Sequence, residues 1–214
     1  MLNIDASYVH CTYFLKGNEV DHIEKIGDIV ITSGKLCACD PLYLEDKNRN
    51  QEMNILIPKG KYPVLYNTEE ELINVMFDPK SNIFEWKDIE FNRKEYSRLV
   101  EVDSGEYGFV DKDGIIAIAK NVKNGIYKKG YYDDSAIVTV QSGSHPKSLE
   151  MKINKSKNNF LVNTTRYGNG EYSLHAGYSF SDNLLCISGD LIRSYLSLSS
   201  HIKEMVKDEK KLGE

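Results

Sequence analysis

The chain has 214 residues, of which 41% are hydrophobic and 28% are charged, and these shares are typical of a globular protein with one domain. Acidic residues outnumber basic residues by 32 to 27, so the formal net charge is -5 and the composition predicts neither a nucleic-acid partner nor a membrane partner. The N-terminus has no secretory pattern and no run of 18 apolar residues occurs, which predicts a cytoplasmic protein.

The first strand pair that the sequence predicts lies within residues 28–39. Two five-residue runs flank Ser33-Gly34, which has the chemistry of a two-residue hairpin loop. Cys37 and Cys39 share one face of the second strand because side chains alternate along a strand. No further ligands at zinc spacing follow them, and the four cysteines are too irregularly spaced for a disulfide framework. We therefore expect reduced thiols that pack in the core.

The following segment mixes turn signals with short apolar runs. A polar surface loop and two strands around a Pro/Gly turn are predicted at residues 45–54, 54–58 and 64–67. Residues 68–78 are ambiguous. Thr68 and Glu71 form a capping box typical of a helix start, whereas the apolar runs on either side of the next turn favour a hairpin. Phe84 and Trp86 after that turn are predicted to be core residues.

Residues 99–119 are the most strongly patterned part of the chain. Apolar and polar residues alternate on both sides of Asp103-Ser104-Gly105, which predicts a strand, a turn and a strand. The apolar residues of 115–122 follow helical spacing, and Asp111 or Asp113 is a suitable N-cap for a short helix. A β-strand through this run is the alternative.

Strands dominate the second half of the chain as well. They are predicted at residues 135–143, 148–154, 160–167, 171–180 and 183–192, and the last two are predicted to form a hairpin across residues 181–183. The total of at least ten short strands predicts a mostly β fold, namely an antiparallel β-sandwich or barrel-like sheet with one short internal helix and a C-terminal helix. Residues 1–191 are predicted to form a single strand-rich domain, and residues 192–214 a C-terminal helical extension.

Five short motifs carry a resemblance to a known family. They are SGKLCACDP at 33–41, PKGKYPV at 58–64, EW at 85–86, VDSGEYGFVD at 102–111, and GNGEY at 168–172 followed by GY. In this order the chain resembles an uncharacterised bacterial domain-of-unknown-function family over residues 27–191. The resemblance implies a compact strand-rich domain without an established activity, and it favours strand at residues 70–77.

The chain departs from the family pattern at three places. Asn169 stands where the family usually has an aspartate, His175 stands near a usual aromatic residue, and Asp190-Leu191 lacks the usual phenylalanine. If the aspartate of that turn carried out chemistry, this chain has lost it. The departures therefore weaken a catalytic interpretation more than a binding interpretation.

Turn residues supply the candidate ligand contacts. Carboxylates at converging strand ends can bind a divalent cation or act as acid and base. The alternative is that each aspartate accepts hydrogen bonds from the backbone amides of its own turn. The candidate ligand-binding residues are Asp40, Asp103, Ser104, Asp111, Gly168, Glu171, Tyr172 and His175.

Nucleophilic catalysis has weaker support in the sequence. Cys37 or Cys39 with His145 or His175 is the possible pair, but both cysteines fall inside a predicted strand, where nothing lowers a thiol pKa. The sequence contains no phosphate-binding glycine loop, no dinucleotide fingerprint and no H-E-x-x-H motif. We therefore assign no catalytic residue, no metal ligand and no cofactor.

The chain has 14 tyrosines, and several are predicted near turns or strand edges, where a tyrosine suits recognition. These are Tyr107, Tyr127, Tyr131, Tyr132, Tyr167, Tyr172 and Tyr178. We expect a non-catalytic bacterial binding or protein-interaction module of the accessory, defence or immunity kind, whose partner is another protein or a small molecule. A small metal-dependent or acid/base hydrolase is the alternative, so the sequence leaves open whether the protein is an enzyme. A third possibility is a protein that oligomerises through its C-terminal helix.

Overall fold

The computed structural model describes residues 4–44, 46, 51–92, 99–127, 148–165 and 168–192. The helices within these residues are α1 (Ile4–Leu15) and α2 (Lys112–Lys123), and a 3₁₀ turn spans Pro41–Tyr43. The strands, in chain order, are β1 (Ile23–Ile31), β2 (Leu36–Cys39), β3 (Gln51–Glu52), β4 (Gly60–Asn67), β5 (Leu72–Met76), β6 (Glu85–Asp88), β7 (Leu99–Val102), β8 (Glu106–Asp111), β9 (Ser148–Lys152), β10 (Asn159–Thr164), β11 (Gly170–Tyr178) and β12 (Leu184–Asp190).

The strands form two antiparallel sheets. The first sheet has the order β1-β4-β5-β12-β11-β6, and β7 pairs with β11 beyond the end of β6. The second sheet has the order β3-β2-β8-β10-β9. The mostly β, antiparallel fold class predicted from the sequence is therefore confirmed, with two sheets stacked as a sandwich.

The main core lies between the two sheets. Ile29 and Val75 of the first sheet and Leu36 and Phe109 of the second sheet belong to one continuous buried cluster. Burial of apolar surface in this layer is the main stabilising term, at about 25 cal/mol for each Å² removed from water. The two sheets therefore depend on each other for stability.

Each sheet is also covered on its outer face by one helix. Helix α1 packs Tyr8 and Cys11 against the first sheet, beside Leu65 and Leu185. Helix α2 packs on the second sheet, where its residues join a cluster with the strand residues around them. The layers are therefore helix, sheet, sheet and helix. Because β5 and β10 lie in the middle of this stack, every residue of β5 and nearly every residue of β10 is buried.

Several local predictions are confirmed by the structure. The ambiguous segment after Thr68 forms strand β5, and residues 112–123 form a helix with Asp111 as its N-cap. Strands β9 and β10 form at two of the predicted strand positions, and β11 and β12 pair as the predicted hairpin. Cys37 and Cys39 face α2, while the alternate residues of β2 face the core between the sheets.

Three other predicted strand pairings are wrong, and in two of them the chain passes from one sheet to the other at the predicted turn. The turn at Ser33-Gly34 does not close a hairpin, since β1 lies in the first sheet and β2 in the second. The turn at 103–105 likewise connects β7 of the first sheet to β8 of the second. Strands β5 and β6 are in the same sheet but do not pair. The residues of a turn predict the turn itself. The sheet that each flanking strand joins depends instead on the part of the core against which its apolar side chains pack.

The prediction from sequence also missed one helix and misplaced some strands. Helix α1 was not predicted, and residues 54–58 are irregular rather than a strand. Strand β3 forms in the segment that was predicted as a polar loop. The predicted strand at 135–143, His145 and the helical extension after Ile192 lie outside the described residues. Among the described residues, no helix has the length and apolar character needed to cross a membrane.

Candidate functional site

The carboxylate of Asp40 holds the turn that precedes β8. Its Oδ2 atom accepts hydrogen bonds from the backbone N–H groups of Asp103 at 2.6 Å and of Ser104 at 2.7 Å. Its Oδ1 atom accepts from the Ser104 hydroxyl at 2.6 Å and from the Leu42 N–H at 2.8 Å. Asp40 is buried, so these bonds replace the water that a carboxylate requires. We call Asp40, Asp103 and Ser104 the Asp40 clamp.

The carboxylate of Asp111 does the same for the turn that precedes β2. Its Oδ2 atom accepts from the N–H groups of Thr32 and Ser33, each at 3.0 Å, and from the Ser33 hydroxyl at 2.8 Å. Its Oδ1 atom accepts from the Asp113 N–H at 2.8 Å, which is the N-cap bond of α2. Asp111 is fully buried. We call Asp111, Thr32 and Ser33 the Asp111 clamp.

The two clamps are reciprocal and have the same local sequence. Strands β2 and β8 are antiparallel neighbours, and each begins after a Ser-Gly turn. Five residues separate that glycine from an aspartate at the end of the strand, which binds the turn before the other strand. Gly34 and Gly105 both have a left-handed φ, +81° and +77°, which favours glycine at these positions. Sequence reasoning missed both clamps. The signal that could have found them is the Ser-Gly-x5-Asp spacing, which occurs once in each clamp.

The turn at 168–170 lies against the Asp40 clamp. A Cβ atom on Gly105 would lie 3.4 Å from the Cα atom of Gly168, so the two turns are in close contact. The Thr165 N–H donates to the carbonyl of Gly105 at 2.8 Å, and the Tyr172 hydroxyl donates to the carbonyl of Gly168 at 2.5 Å. The DP, VDSG and GNGEY motifs therefore meet at one end of the sandwich.

The surface at this meeting point is a shallow acidic depression. It has a volume of about 320 Å³ and is lined by Glu101, Val102, Asp103, Gly170 and Glu171. Glu101 and Glu171 are directly opposite each other on paired strands. The lining favours a cationic group over an anionic one.

The structure brings together most of the predicted ligand-binding residues, but not as a ring of carboxylates. The group that meets at the acidic end consists of Asp40, Asp103, Ser104, Gly168, Glu171 and Tyr172. Asp111 lies at the opposite end of the β2–β8 pair, roughly 13 Å along the strand from Asp40, and His175 lies farther along β11. Among the described residues, no three His, Cys, Asp or Glu side chains are positioned to hold a metal ion.

Two of the tyrosines singled out in the sequence do not lie at the surface. Tyr107 and Tyr172 are fully buried, and their rings belong to the core between the sheets. The prediction of an exposed position is wrong for both, because each lies at an inward-facing place in its strand. Tyr131, Tyr132 and Tyr167 lie outside the described residues.

The cysteines are buried and none forms a disulfide. Burial raises the pKa of the Cys37 thiol to about 12, and burial also holds the pKa of Cys39 well above its ordinary value. Both therefore remain protonated at neutral pH, in a state that is a poor nucleophile. This agrees with the expectation of core packing.

His175 takes part in a chain of three polar side chains on the outer face of the first sheet. Its Nε2 atom lies 3.2 Å from the Ser173 hydroxyl oxygen, and its Nδ1 atom lies 3.1 Å from Oδ1 of Asp88. Asp88 is directly opposite His175 on the paired strand β6. With a proton on Nδ1, the imidazole donates to Asp88 and accepts from Ser173, which is the order of groups in a serine nucleophile triad.

A pair of exposed aromatic rings lies at one end of the β6–β11 ladder. Phe84 and Phe180 are 67% and 82% exposed, and their ring centroids are 5.1 Å apart in an edge-to-face arrangement. Sequence reasoning placed Phe84 in the core, which is wrong, and did not single out Phe180. A phenylalanine inside the polar turn that joins β11 to β12 was the available signal.

A groove lies next to the aromatic pair. It has a volume of about 500 Å³ and separates α1 from the loop at residues 79–83, which leads directly into Phe84. Val9 and Tyr13 of α1 line it and are 46% and 54% exposed. The groove combines these side chains with polar and charged ones, including Asp5 and Lys80.

Strands β1 and β6, two of the outer strands of the first sheet, differ in the hydrogen bonding of their outer backbone groups. At β1, the Asn159 side chain accepts from the Val30 N–H at 2.9 Å and donates to the Asp28 carbonyl at 2.6 Å, while Asn158 donates to the Val30 carbonyl at 3.0 Å. These side chains therefore form hydrogen bonds with outward-facing backbone groups of Asp28 and Val30 in β1. Within the described part of the chain, β6 pairs on one side only, with β11.

The fold and these surfaces define a strand-rich sandwich domain that is built on two reciprocal aspartate clamps. The chain belongs to the family described as protein of unknown function DUF4241, whose profile matches residues 29–188. The predicted resemblance to an uncharacterised domain family is thereby confirmed. The matched region includes both clamps and begins after α1. No curated protein and no solved structure matches the chain.

Proposed function

We propose that the protein is a non-catalytic protein-interaction module that binds its partner through the aromatic edge, which we define as Phe84, Phe180 and strand β6. The observation that carries this proposal is the exposure of two adjacent phenylalanine rings beside a sheet edge. Contiguous exposed aromatic surface is characteristic of interaction sites, because burial of such rings in a partner supplies much of the binding free energy.

The clamps support this proposal indirectly. The oxygens of Asp40 and Asp111 are engaged by backbone N–H and hydroxyl groups of the protein itself, so these carboxylates act as parts of the scaffold. The hydrolase hypothesis needs carboxylates that share one ion or one substrate atom. Recognition on the outside of a rigid sandwich agrees better with the observed arrangement.

Site-specific photo-crosslinking tests the proposal. We would place p-benzoyl-phenylalanine, an aromatic residue of similar shape, at position 84 or position 180 of the full chain. The matched control carries the same residue at position 56, because Leu56 is 76% exposed, is outside the aromatic edge and lies beside Gly34. We expect one protein to be crosslinked from positions 84 and 180 in cells that express the chain, and not from position 56. Equal labelling from position 56, or no adduct from position 84, would refute the proposal.

A second candidate function is favoured by the Ser173–His175–Asp88 chain. A histidine that accepts from a serine and donates to an aspartate activates the serine for attack on an ester or amide carbonyl. This function requires neither a metal nor the turn carboxylates. Asp88 is 60% exposed and His175 is 20% exposed, so the chain lies at the surface rather than in a deep cleft.

A fluorophosphonate probe distinguishes this candidate from the first. If the serine is activated, the probe labels Ser173, and both Ser173→Ala and His175→Gln abolish the labelling. The control is Ser148→Ala, which removes an exposed serine of the second sheet and leaves the labelling intact. Absence of labelling in the wild-type chain rejects the hydrolase and leaves the interaction module as the function.

A further inference from the structure

We infer that the partner at the aromatic edge is a second copy of this chain, and that the two copies join by antiparallel pairing of β6 with β6 around a two-fold axis. This inference rests on the proposed function and names the occupant of the same surface. Such pairing extends the first sheet across both copies, because an open sheet edge presents unpaired backbone groups to another strand and a two-fold axis makes the contact symmetric.

The contrast between the two sheet edges is the first reason. The outer backbone groups of β1 are occupied by Asn158 and Asn159, so that edge is closed to another strand. Strand β6 has its single described partner on the inner side. Strand β7 shares this edge of the sheet, where it also pairs with β11, but the exposed rings of Phe84 and Phe180 lie at the end of β6. We therefore assign β6 as the strand that accepts a strand from another molecule.

The charge pattern of β6 is the second reason. Charged residues on an edge strand normally discourage pairing, but the sequence Glu85-Trp86-Lys87 has opposite charges on either side of its centre. Within one copy, the Lys87 Nζ atom lies 3.2 Å from a Glu85 carboxylate oxygen and 3.3 Å from an Asp182 carboxylate oxygen. When two copies pair with Trp86 opposite Trp86, Glu85 of each copy also lies opposite Lys87 of the other copy, so the pairing adds contacts between copies to those within each copy. Opposite charges directly across an antiparallel ladder are stabilising, and like charges are destabilising.

The same pattern excludes the neighbouring registers. A two-fold axis perpendicular to the sheet keeps each side chain on its own face, so the register can change only in steps that move the centre by one residue. Centring on Glu85 places two glutamates opposite each other, and centring on Lys87 places two lysines opposite each other. The charges therefore select one register, and they select it for this sequence paired with itself.

The aromatic rings fit the same geometry. Phe84 precedes β6 and its N–H donates to the Tyr178 carbonyl at 2.7 Å, so the ring is fixed at the end of the strand. In the register centred on Trp86, the residue opposite Phe84 is Asp88 of the other copy, and each ring pair comes to lie beside the other copy's β6. Dimerisation thus covers apolar surface that is 67% and 82% exposed in a single copy.

Charge reversal tests this inference by analytical ultracentrifugation of the full chain. We expect the wild-type chain to form a dimer. Glu85→Lys creates two lysine pairs across the interface and Lys87→Glu creates two glutamate pairs, so each variant alone weakens the dimer about tenfold or more. The two variants mixed together restore opposite charges at both positions and form a heterodimer, and the double variant forms a homodimer. Glu24→Lys, on the other edge strand, leaves the dimer unchanged.

Each outcome has a defined meaning. Folding of every variant is checked by thermal unfolding, since Glu85 and Lys87 are 53% and 45% exposed and their reversal leaves the core intact. A wild-type chain that stays monomeric, or single variants that do not recombine when mixed, refutes the inference. If photo-crosslinks from position 84 then identify a different protein, the proposed function stands without self-association. If no crosslink forms at all, both fail.

Discussion

At the scale of single residues, the buried tyrosines differ in whether the hydroxyl group forms a hydrogen bond. Tyr172 donates to the Gly168 carbonyl and Tyr66 donates to the Glu71 carboxylate, whereas the buried hydroxyl of Tyr107 has no hydrogen-bond partner among the described residues. A buried hydroxyl without a partner costs about 1–3 kcal/mol relative to its hydrated state. Similar rings in one core therefore make opposite contributions through a single oxygen atom.

This difference gives the first prediction. Tyr107→Phe is expected to leave the free energy of unfolding unchanged or to raise it by about 1 kcal/mol, because it removes an unpaired polar atom and keeps the ring. Tyr172→Phe is expected to lower it by about 1 kcal/mol, because it removes a hydrogen bond from the Gly168 turn. Urea unfolding of the two variants beside the wild-type chain measures both values. A loss of stability in Tyr107→Phe equal to that in Tyr172→Phe would contradict the assignment.

At the scale of elements, each clamp joins a strand to the turn before its neighbour. The bonds are charge-assisted and buried, and such bonds contribute about 1.5–3 kcal/mol each. The Asp111 clamp also begins α2, so it connects the second sheet to the helix that covers it.

The second prediction follows from the equivalence of the clamps. Asp111→Asn and Asp40→Asn are each expected to lower the free energy of unfolding by about 3 kcal/mol, because the introduced amide N–H₂ faces N–H and hydroxyl donors. The control is Asp21→Asn, an exposed aspartate outside both clamps, for which we expect a change below about 0.5 kcal/mol. Thermal or urea unfolding measures all three. A large effect in only one clamp variant would show that the two clamps are not equivalent.

The elements also show what local sequence can predict. The β11–β12 hairpin and the Asp111-capped helix were predicted because both depend on residues within a few positions of each other. The partner of β1 could not be predicted, since β4 begins about 30 residues later and no local feature links them. For the candidate site, the expectation was that an aspartate binds the amides of its own turn, and the bond from the Leu42 N–H to Asp40 is of that kind. That Asp40 binds a turn 64 residues away required the tertiary fold.

At the scale of the whole molecule, one buried carboxyl makes stability depend on pH. Asp190 is 6% exposed at the end of β12, and burial raises its pKa to about 6, although a hydrogen bond from the Ile192 N–H acts in the opposite direction. The folded state therefore binds the proton more tightly than the unfolded state does. Stability from this group is fully present below pH 3.8, the ordinary pKa, and is lost as the pH rises to about 6.

The third prediction is that Asp190→Asn stabilises the protein at neutral pH by about 2–3 kcal/mol, because the amide keeps the acceptor for the Ile192 N–H and cannot ionise. The gain is expected to shrink between about pH 6 and pH 4 and to disappear below that range. Urea unfolding of both chains across this range measures the difference, and Asp21→Asn again serves as the control. A gain that does not vary with pH would mean that Asp190 is not the titrating group.

The reciprocal clamps also have a consequence for how the second sheet finds its alignment. If β2 shifted along β8 by two residues, side chains would keep their faces and the core would still be apolar, so the hydrophobic pattern alone tolerates that error. Such a shift would withdraw Asp40 and Asp111 from their turns at the same moment and leave two buried carboxylates without donors. The correct alignment of the central strands is therefore enforced at both ends of one ladder by polar groups.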